Sequence, residues 1–149
     1  MIIAIDANIL IALFDDSKIA FAFKQFCKQH QVAKVILPMP AMCEFLSHDN
    51  INRFQFVKSK SKSVIPVDFD EKAAISTARL AEKYYADRLD IDRQKVKVDL
   101  QILGTAVANK AQFILTKDND FKRYINKLKP NIVMRNIKDL LIEEDLFKS

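Results

Sequence analysis

Short apolar runs alternate with longer amphipathic stretches along this chain. Residues Ile2 to Ile5 form an apolar run that ends at Asp6, which is typical of an interior strand of a parallel sheet. Four further short apolar runs predict four more strands. These strands are predicted at Val35–Leu37, Ser63–Ile65, Gln112–Leu115 and Ile132–Met134.

The stretches between these runs carry helical signals. From Ser17 to about His30, apolar residues recur three and four positions apart, which predicts an amphipathic helix with Phe21 off its apolar stripe. Pro38 and Pro40 suit the start of a helix that contains Glu44. The other predicted helices are Ile51–Val57, a long helix capped by Asp70 and ending at Tyr84 or Tyr85, Val96–Asn109, and Ile137–Phe147, with Ala86–Lys95 predicted as a loop.

Strands that alternate with helices imply βαβ units connected by right-handed crossovers. The expected fold class is therefore α/β, with a parallel sheet covered by helices on both faces. The chain has 149 residues and contains no internal repeat or low-complexity linker. We therefore expect one domain spanning residues 1–149.

Composition excludes several kinds of site. The chain contains one glycine, which rules out the P-loop, the G-x-G-x-x-G dinucleotide turn and the G-x-S-x-G nucleophile elbow. Two cysteines, Cys27 and Cys43, and two histidines, His30 and His48, lack the spacing of a zinc site. Metal chemistry that depends on thiolate or imidazole ligands is therefore not expected.

Two features predict a cytoplasmic protein. The apolar neighbours of Cys27 and Cys43 predict buried free thiols in a reducing compartment. The amino-terminal segment has no basic region, and Asp6 and Asn8 interrupt its apolar residues. We therefore expect neither a secretory signal nor a membrane span there.

Acidic side chains are predicted to meet at one edge of the sheet. Asp6 ends the first strand, and Asp118 and Asp120 follow the fourth, while Glu44 and Asp99 are placed in the first turns of helices. In right-handed βαβ units, the carboxyl ends of strands and the amino ends of helices lie at the same edge. Open α/β sheets bind their ligands at this edge, near a topological switch point.

Each acid taken alone has an ordinary explanation as a turn residue or as a favourable charge near a helix dipole. Together they would repel one another unless a cation or strong donors compensated. Carboxylates without histidine or thiolate favour Mg²⁺ or Mn²⁺, which commonly meet substrate phosphates. We therefore expect metal-activated hydrolysis of a phosphodiester.

Net charge favours a polyanionic substrate. The chain has 24 Lys and Arg against 19 Asp and Glu, a net charge of +5 and a pI of about 9.2. Neutralising the five acids with metal would raise that net charge to about +10. Basicity alone is weak evidence, but here it agrees with the acid cluster in favouring phosphate ligands.

Four segments, in chain order and at similar spacing, resemble the motifs of the PIN domain family. They are IDAN at Asp6 to Asn8, PAMCEF with Glu44, VDLQILGTA with Asp99, and LTKDNDF with Thr116, Asp118 and Asp120. The resemblance covers nearly the whole chain. It implies a three-layer α/β/α sandwich around a parallel sheet and Mg²⁺- or Mn²⁺-dependent ribonuclease activity, as in the VapC-like toxins of toxin–antitoxin pairs.

The resemblance also implies roles for individual residues. Asp6, Glu44, Asp99 and Asp118 match the acidic quartet, Asp120 matches a frequent additional acid, and Asn8 and Thr116 match polar positions that orient acids or water. Which of Asp118 and Asp120 lies closer to the metal stays open. The implied partners are an RNA substrate, a protein antitoxin and a second copy in a homodimer, with Phe21 as the best interface candidate.

Two departures from the family pattern stand out. Ala7 lies where the family commonly has a hydroxyl, which removes a supporting hydrogen bond. The segment from Tyr84 to Lys97 is long for the family and carries Arg88, Arg93, Lys95 and Lys97. An RNA-contacting loop and an ordinary solvated loop explain these cations equally well.

Two other functions stay open. A catalytically silent PIN-like module would bind RNA or protein without cutting, although the presence of all four acids argues against it. A metal-dependent hydrolase of small phosphate esters would need a closed pocket, and the basic surface favours a polymer instead.

Overall fold

The structure is a computed structural model that describes residues 1–141. Its strands are β1 (Ile2–Ile5), β2 (Lys34–Pro38), β3 (Val64–Val67), β4 (Phe113–Thr116) and β5 (Val133–Asn136). Its helices are α1 (Ala7–Asp15), α2 (Ser17–Gln29), α3 (Met39–Leu46), α4 (Asn50–Ser59), α5 (Glu71–Ala86), α6 (Arg93–Ala108) and α7 (Asp120–Leu128). Residues 137–141 are also helical.

The five strands form one parallel sheet in the order β3-β2-β1-β4-β5. β2 and β3 are added on one side of β1, whereas β4 and β5 are added on its other side. The topological switch point therefore lies between β1 and β4. Ile5 pairs with Leu115 at this point, and the backbone N–H of Asp6 donates to the carbonyl of Leu115 at 3.1 Å. The residues that follow β1 and β4 are thereby held side by side.

Helices cover both faces of the sheet. Ile3, Ala4 and Ile5 are all fully buried, although successive side chains of a strand point to opposite faces. Helix α1 packs against α2 and α3, whereas α5 packs against α6 and α7. The right-handed crossovers expected of parallel strands place these two groups on opposite faces, which confirms the α/β class and the three-layer arrangement.

All five predicted strands are present; β1 has the predicted ends, and the ends of the other four are shifted by one or two residues. The predicted stripe of α2 is also confirmed, since Ala22, Phe23 and Phe26 are buried and Phe21 is exposed. Sequence analysis assigned no element to α1 or α7. Both are short helices of nine residues that begin beside motif acids, and those acids were interpreted only as strand ends and turns.

The predicted start of α6 is wrong. Asp92 caps the helix by accepting the backbone N–H groups of Gln94 and Lys95 at 3.1 Å each, so α6 begins at Arg93. Arg93 and Lys95 therefore lie on the same helix as Lys97 rather than in a loop. The earlier start also places Asp99 in the second turn of α6.

Several smaller expectations are corrected or fall outside the described part. Cys43 was predicted to be buried but is exposed. Cys27 is half-buried, and burial raises the pKa of its thiol to about 11. Phe14 packs edge to face against Phe45 within the apolar core. The later part of the predicted closing helix lies outside the described residues. Within residues 1–141, no helix is long and apolar enough to cross a membrane.

Candidate active site at the carboxyl edge of the sheet

Asp6 is held at the switch point by hydrogen bonds to both carboxylate oxygens. It follows β1 and caps α1, where Oδ1 accepts the backbone N–H of Ala7 at 2.7 Å. Oδ2 accepts the hydroxyl of Thr116 at 3.0 Å and the amide of Asn8 at 3.2 Å. The side chain is only 4% exposed, so its orientation is tightly constrained. The backbone of Ala7 thus supports Asp6 although the residue lacks a hydroxyl.

Thr116 connects the acid after β1 with the acids after β4. Its hydroxyl donates to Asp6 and accepts the backbone N–H of Asp118 at 3.0 Å and the amide of Asn8 at 3.2 Å. One donor and two acceptor positions are all that a hydroxyl provides, so this buried group is fully used. Asn8 completes the connection by accepting the backbone N–H of Lys117 at 3.0 Å.

Asp118 and Asp120 lie together at the turn between β4 and α7. Oδ1 of Asp118 accepts the backbone N–H of Asp120 at 2.9 Å, which fixes the shape of this turn. Oδ1 of Asp120 is 3.2 Å from the guanidinium of Arg123, one turn further along α7. Burial acts to raise the pKa of Asp120, but hydrogen bonds and positive charges from Lys95 and Arg123 lower it overall.

Asp99 reaches the same edge from α6. It is 6% exposed, and its Oδ2 accepts the hydroxyl of Tyr124 at 2.6 Å. Burial raises the pKa of Asp99 despite the hydrogen bonds from Lys95 and Tyr124. Burial and the neighbouring Asp99 carboxylate together raise the pKa of Tyr124, so the phenol remains a donor.

Lys95 connects three of the acids through one amino group. Its Nζ lies 2.7 Å from Asp99 Oδ2, 2.5 Å from Asp118 Oδ2 and 3.0 Å from Asp120 Oδ2. Burial lowers the pKa of Lys95, but the hydrogen bonds to these three carboxylates outweigh it and raise that pKa overall. Lys95 is therefore a firmly charged counterion of the acid cluster.

Glu44 faces this cluster from α3. It lies in the second turn of that helix rather than the first, because α3 begins at Met39. Glu44 is exposed on one side, and partial burial together with the negative charges of Asp6, Asp99 and Asp118 raises its pKa to about 7 against the opposing charge of Lys95. Glu44 is therefore near enough to the other acids for their charges to affect it, although within residues 1–141 it makes no hydrogen bond or ion pair with them.

The pKa of Asp6 is also affected by burial and by the charges of neighbouring carboxylates. Burial raises its pKa to about 6, the bonds from Ala7 and Thr116 oppose the shift, and the charges of Asp99 and Asp118 add to it. A cluster in which several carboxylates resist ionisation is a favourable place for a further cation. The structure joins six of the seven residues that the sequence indicated through hydrogen bonds and the Lys95 ion pairs, with Glu44 facing them from α3 without such a contact: Asp6, Asn8, Asp99, Thr116, Asp118 and Asp120.

The donor set of this cluster fits a hard divalent ion, because every candidate ligand is a carboxylate oxygen. The arrangement around Lys95 does not yet form such a site: among the described residues, no three carboxylate, imidazole or thiol side chains are placed to hold a metal ion. The oxygens around Lys95 stand at amine distance, 2.5 to 3.0 Å, whereas Mg²⁺ requires about 2.0–2.1 Å. Metal binding therefore requires the carboxylates to move inward.

Sequence analysis missed two residues of this site and misassigned a third. Tyr124 went unnoticed because α7 was not predicted, although it lies four residues after Asp120 and thus on the same helix face. Arg123 was missed for the same reason. Lys95 was assigned to a loop, although the spacing from Lys95 to Asp99 is that of a helical ion pair.

Comparison with known proteins identifies the class to which this fold and acid cluster belong. The family model of the PIN domain matches residues 3–127. The chain therefore belongs to the PIN domain family. The search of curated proteins found no match.

Solved structures share the fold at low sequence identity. VapBC2 from Rickettsia felis, bound to a DNA fragment from its promoter, matches with a TM-score of 0.69 and 18% identity, covering 91% of this chain and 98% of that one. DNA-bound VapBC from Salmonella typhimurium matches with a TM-score of 0.69 and 14% identity, covering 92% of this chain and 98% of that one. VapBC-1 from nontypeable Haemophilus influenzae matches with a TM-score of 0.67 and 17% identity, covering 93% of this chain and 99% of that one.

Proposed function

We propose that this chain is a Mg²⁺- or Mn²⁺-dependent endoribonuclease. The observation that carries the proposal is the meeting of Asp6, Glu44, Asp99 and Asp118 at the switch point of a PIN-domain sheet. Thr116 connects Asp6 to Asp118, and Lys95 connects Asp118 to Asp99. Lys95 supplies one positive charge against these carboxylates, so the remaining negative charge favours a divalent cation.

Within this proposal, the side chains have separate tasks. Asp6, Glu44, Asp99, Asp118 and Asp120 hold one or two divalent ions. Thr116 and Asn8 keep the Asp6 carboxylate oriented, and Tyr124 does the same for Asp99. When bound, the ions supply activation of a water molecule and neutralisation of charge on the phosphate. No nucleophile from the protein is required.

RNA is the proposed substrate because cations surround the acid cluster on an otherwise basic protein. Lys117 is exposed directly beside Asp118, and Arg123 contacts the outer side of Asp120. With a net charge of +5 and five acids committed to metal, the remaining surface attracts phosphate.

The decisive experiment is an RNA cleavage assay with Mg²⁺, Mn²⁺ or EDTA on structured and single-stranded RNA. We expect cleavage with either ion, none in EDTA, and a loss of at least about a hundredfold in Asp6→Asn and Asp99→Asn. Asp90→Asn, which changes an exposed acid between α5 and α6, is the matched control and should cut normally. Cleavage that persists in both site variants and in EDTA would refute the metal mechanism.

A catalytically silent binding module is the second candidate, and one observation favours it. Lys95 already occupies the space among three of the acids, and no metal-ready group of three ligands exists among the described residues. A silent module would bind RNA or a protein partner equally well with and without divalent ions. RNA binding measured by fluorescence anisotropy, in parallel with cleavage, separates the two functions.

We further propose that the nuclease is the toxin of a type II toxin–antitoxin pair. The support is the shared fold with the VapBC structures and the family resemblance of the acid motifs. Expression of the chain alone should arrest growth, and coexpression of a small neighbouring gene for a DNA-binding protein should restore it. Growth that is unaffected by the active enzyme would instead favour an RNA-processing role.

A homodimer is the proposed assembly. Phe21 supports it, because this large apolar side chain lies off the buried stripe of α2 and is 51% exposed. Light scattering at micromolar concentration should report a dimer, and Phe21→Ser should shift it toward monomer. The neighbouring exposed Lys24→Ser serves as the control. A wild-type protein that is entirely monomeric at that concentration would contradict the proposal.

A further inference from the structure

We propose that Lys95 is a tethered cation that keeps the acid cluster assembled before metal arrives and must leave it for a divalent ion to bind. The inference rests on the proposed function and concerns how that site is loaded. Lys95 thereby sets the metal affinity of the enzyme, and it acts as a positioning residue with no part in the chemical step.

The first argument is the number of partners that Lys95 has. An ammonium group has three N–H donors, and that of Lys95 donates hydrogen bonds to Asp99 and Asp118 and forms an ion pair with Asp120. All three contacts are 3.0 Å or shorter. A single positive charge at the centre of three acids occupies the place where a divalent ion would have to gather the same groups.

The second argument concerns the oxygen atoms themselves. Lys95 uses the Oδ2 atom of each acid, while Oδ1 of Asp118 accepts the backbone N–H of Asp120 and Oδ1 of Asp120 contacts Arg123. Both oxygens of Asp118 and Asp120 therefore already have partners. A metal ion can gain ligands from this pair most readily by replacing Lys95, because the other contacts belong to the turn and to α7.

The third argument is that Lys95 can leave without disturbing the fold. Its side chain is 39% exposed, whereas that of Asp99 is only 8% exposed. The flexible four-carbon stem of a lysine allows its ammonium group to swing into solvent. Asp99 and Asp118 keep their contacts with the Tyr124 hydroxyl and the backbone N–H of Asp120, so departure of the lysine followed by a small inward movement of the carboxylates is enough.

Direct measurement of metal binding tests this inference. Calorimetric titration with Mn²⁺ should show about tenfold or tighter binding to Lys95→Gln than to the wild type, because the competing charge is gone. Lys97→Gln removes an exposed cation from the same helix and should bind Mn²⁺ like the wild type. In the absence of metal, Lys95→Gln should unfold at a lower temperature, and saturating Mn²⁺ should restore its melting temperature.

A second measurement uses the unaltered protein and does not depend on the variant folding. Limited amine acylation followed by peptide mass spectrometry should label Lys95 slowly without metal and several-fold faster with saturating Mg²⁺. Lys97 is the internal reference, and its labelling should not change.

The outcomes separate the two proposals. Equal Mn²⁺ affinity in the wild type and Lys95→Gln, or weaker binding to the variant, overturns the role of Lys95 and leaves the nuclease proposal standing. If Mg²⁺ leaves the labelling of Lys95 unchanged, the role of Lys95 is likewise overturned and the nuclease proposal stands. Absence of Mn²⁺ binding to every variant overturns both proposals.

Discussion

Thr116 and Asp6 lie 110 positions apart in the chain, yet the hydroxyl of Thr116 donates a 3.0 Å hydrogen bond to the Asp6 carboxylate. Both side chains are almost completely buried. The contact joins the residue at the end of β4 to the residue that follows β1, across the point where the sheet order reverses. Any change to this pair should affect stability and catalysis together.

The first prediction concerns the Thr116 hydroxyl. Thr116→Val keeps the shape of the side chain but leaves Asp6 and the backbone N–H of Asp118 without this partner. The free energy of unfolding should fall by about 1–3 kcal/mol, the cost of unsatisfied buried polar groups. RNA cleavage should fall by about tenfold to a hundredfold, as for other groups that orient metal ligands.

Urea unfolding and cleavage rates check this prediction. Thr116→Ser retains the hydroxyl and serves as the matched control, with most of the cleavage activity preserved. A valine variant as active as the wild type would show that the contact is dispensable for catalysis.

The second prediction concerns the Tyr124 hydroxyl, which donates to Asp99 Oδ2 at 2.6 Å. Tyr124→Phe should reduce the free energy of unfolding by about 1.5–3 kcal/mol at neutral pH, because it removes a buried hydrogen bond to a charged group. Tyr85→Phe changes an exposed neighbouring ring and should have little effect. Equal melting temperatures for the two variants would contradict the prediction.

The third prediction is that the metal-free protein loses stability as pH rises through the weakly acidic range. The pKa of Asp6 is about 6 in the folded protein against 3.8 for the unperturbed group, so the folded state holds more protons between these values. Stability therefore falls as pH rises from about 4 to 6, by at most about 3 kcal/mol from Asp6. Glu44, with a pKa of about 7, extends the window upward.

Urea unfolding in EDTA at pH 5 and pH 7.5 tests that pH dependence. Asp6→Asn cannot ionise at this position, so its stability should change less between the two pH values than that of the wild type. If both proteins show the same pH dependence, the Asp6 carboxyl is not the group responsible.

The fourth prediction concerns Gly104, where α6 crosses α5. An alanine Cβ at this position would lie 2.0 Å from Thr77 Oγ1 and 2.7 Å from Thr77 Cα, so the backbones of the helices must separate. Gly to Ala inside a helix ordinarily stabilises by about 1 kcal/mol, but overpacking costs about 1–3 kcal/mol or more. Gly104→Ala should therefore lower the melting temperature.

The same variant should also weaken RNA cleavage, because α6 carries Asp99. Gln94→Ala, an exposed substitution on that helix, is the control and should leave both the melting temperature and cleavage unchanged. A Gly104→Ala protein that is more stable than the wild type would contradict the close packing of α5 and α6.

The acid cluster shows how far local sequence leads. Short runs of three or four residues predicted each strand, and βαβ alternation predicted a parallel sheet. That sheet is enough to bring Asp6 and Asp118 to one edge, because parallel strands all end on the same side. The five candidate acids followed from their places after strands and within helices, whereas Asn8 and Thr116 followed only from the resemblance to the PIN motifs.

The helices at the site were harder to predict. Helix α7 spans nine residues and follows directly on an acidic turn, so its amphipathic pattern was too short to separate from the motif. For α6, the polar first turn from Arg93 to Lys95 resembles a loop until the capping role of Asp92 is recognised. Tyr124 was missed because α7 was not predicted at all, and Lys95 was misassigned because the predicted start of α6 was too late.

The strands, their shared edge and the candidate acids could thus be anticipated from hydrophobic periodicity, because each depends on the backbone direction of a local segment. The neutralisation of those acids could not. It depends on the rotation of α6 and α7 about their axes, which is set by packing between residues far apart in the chain. Only that packing places the ammonium of Lys95 among three carboxylates and the phenol of Tyr124 against Asp99.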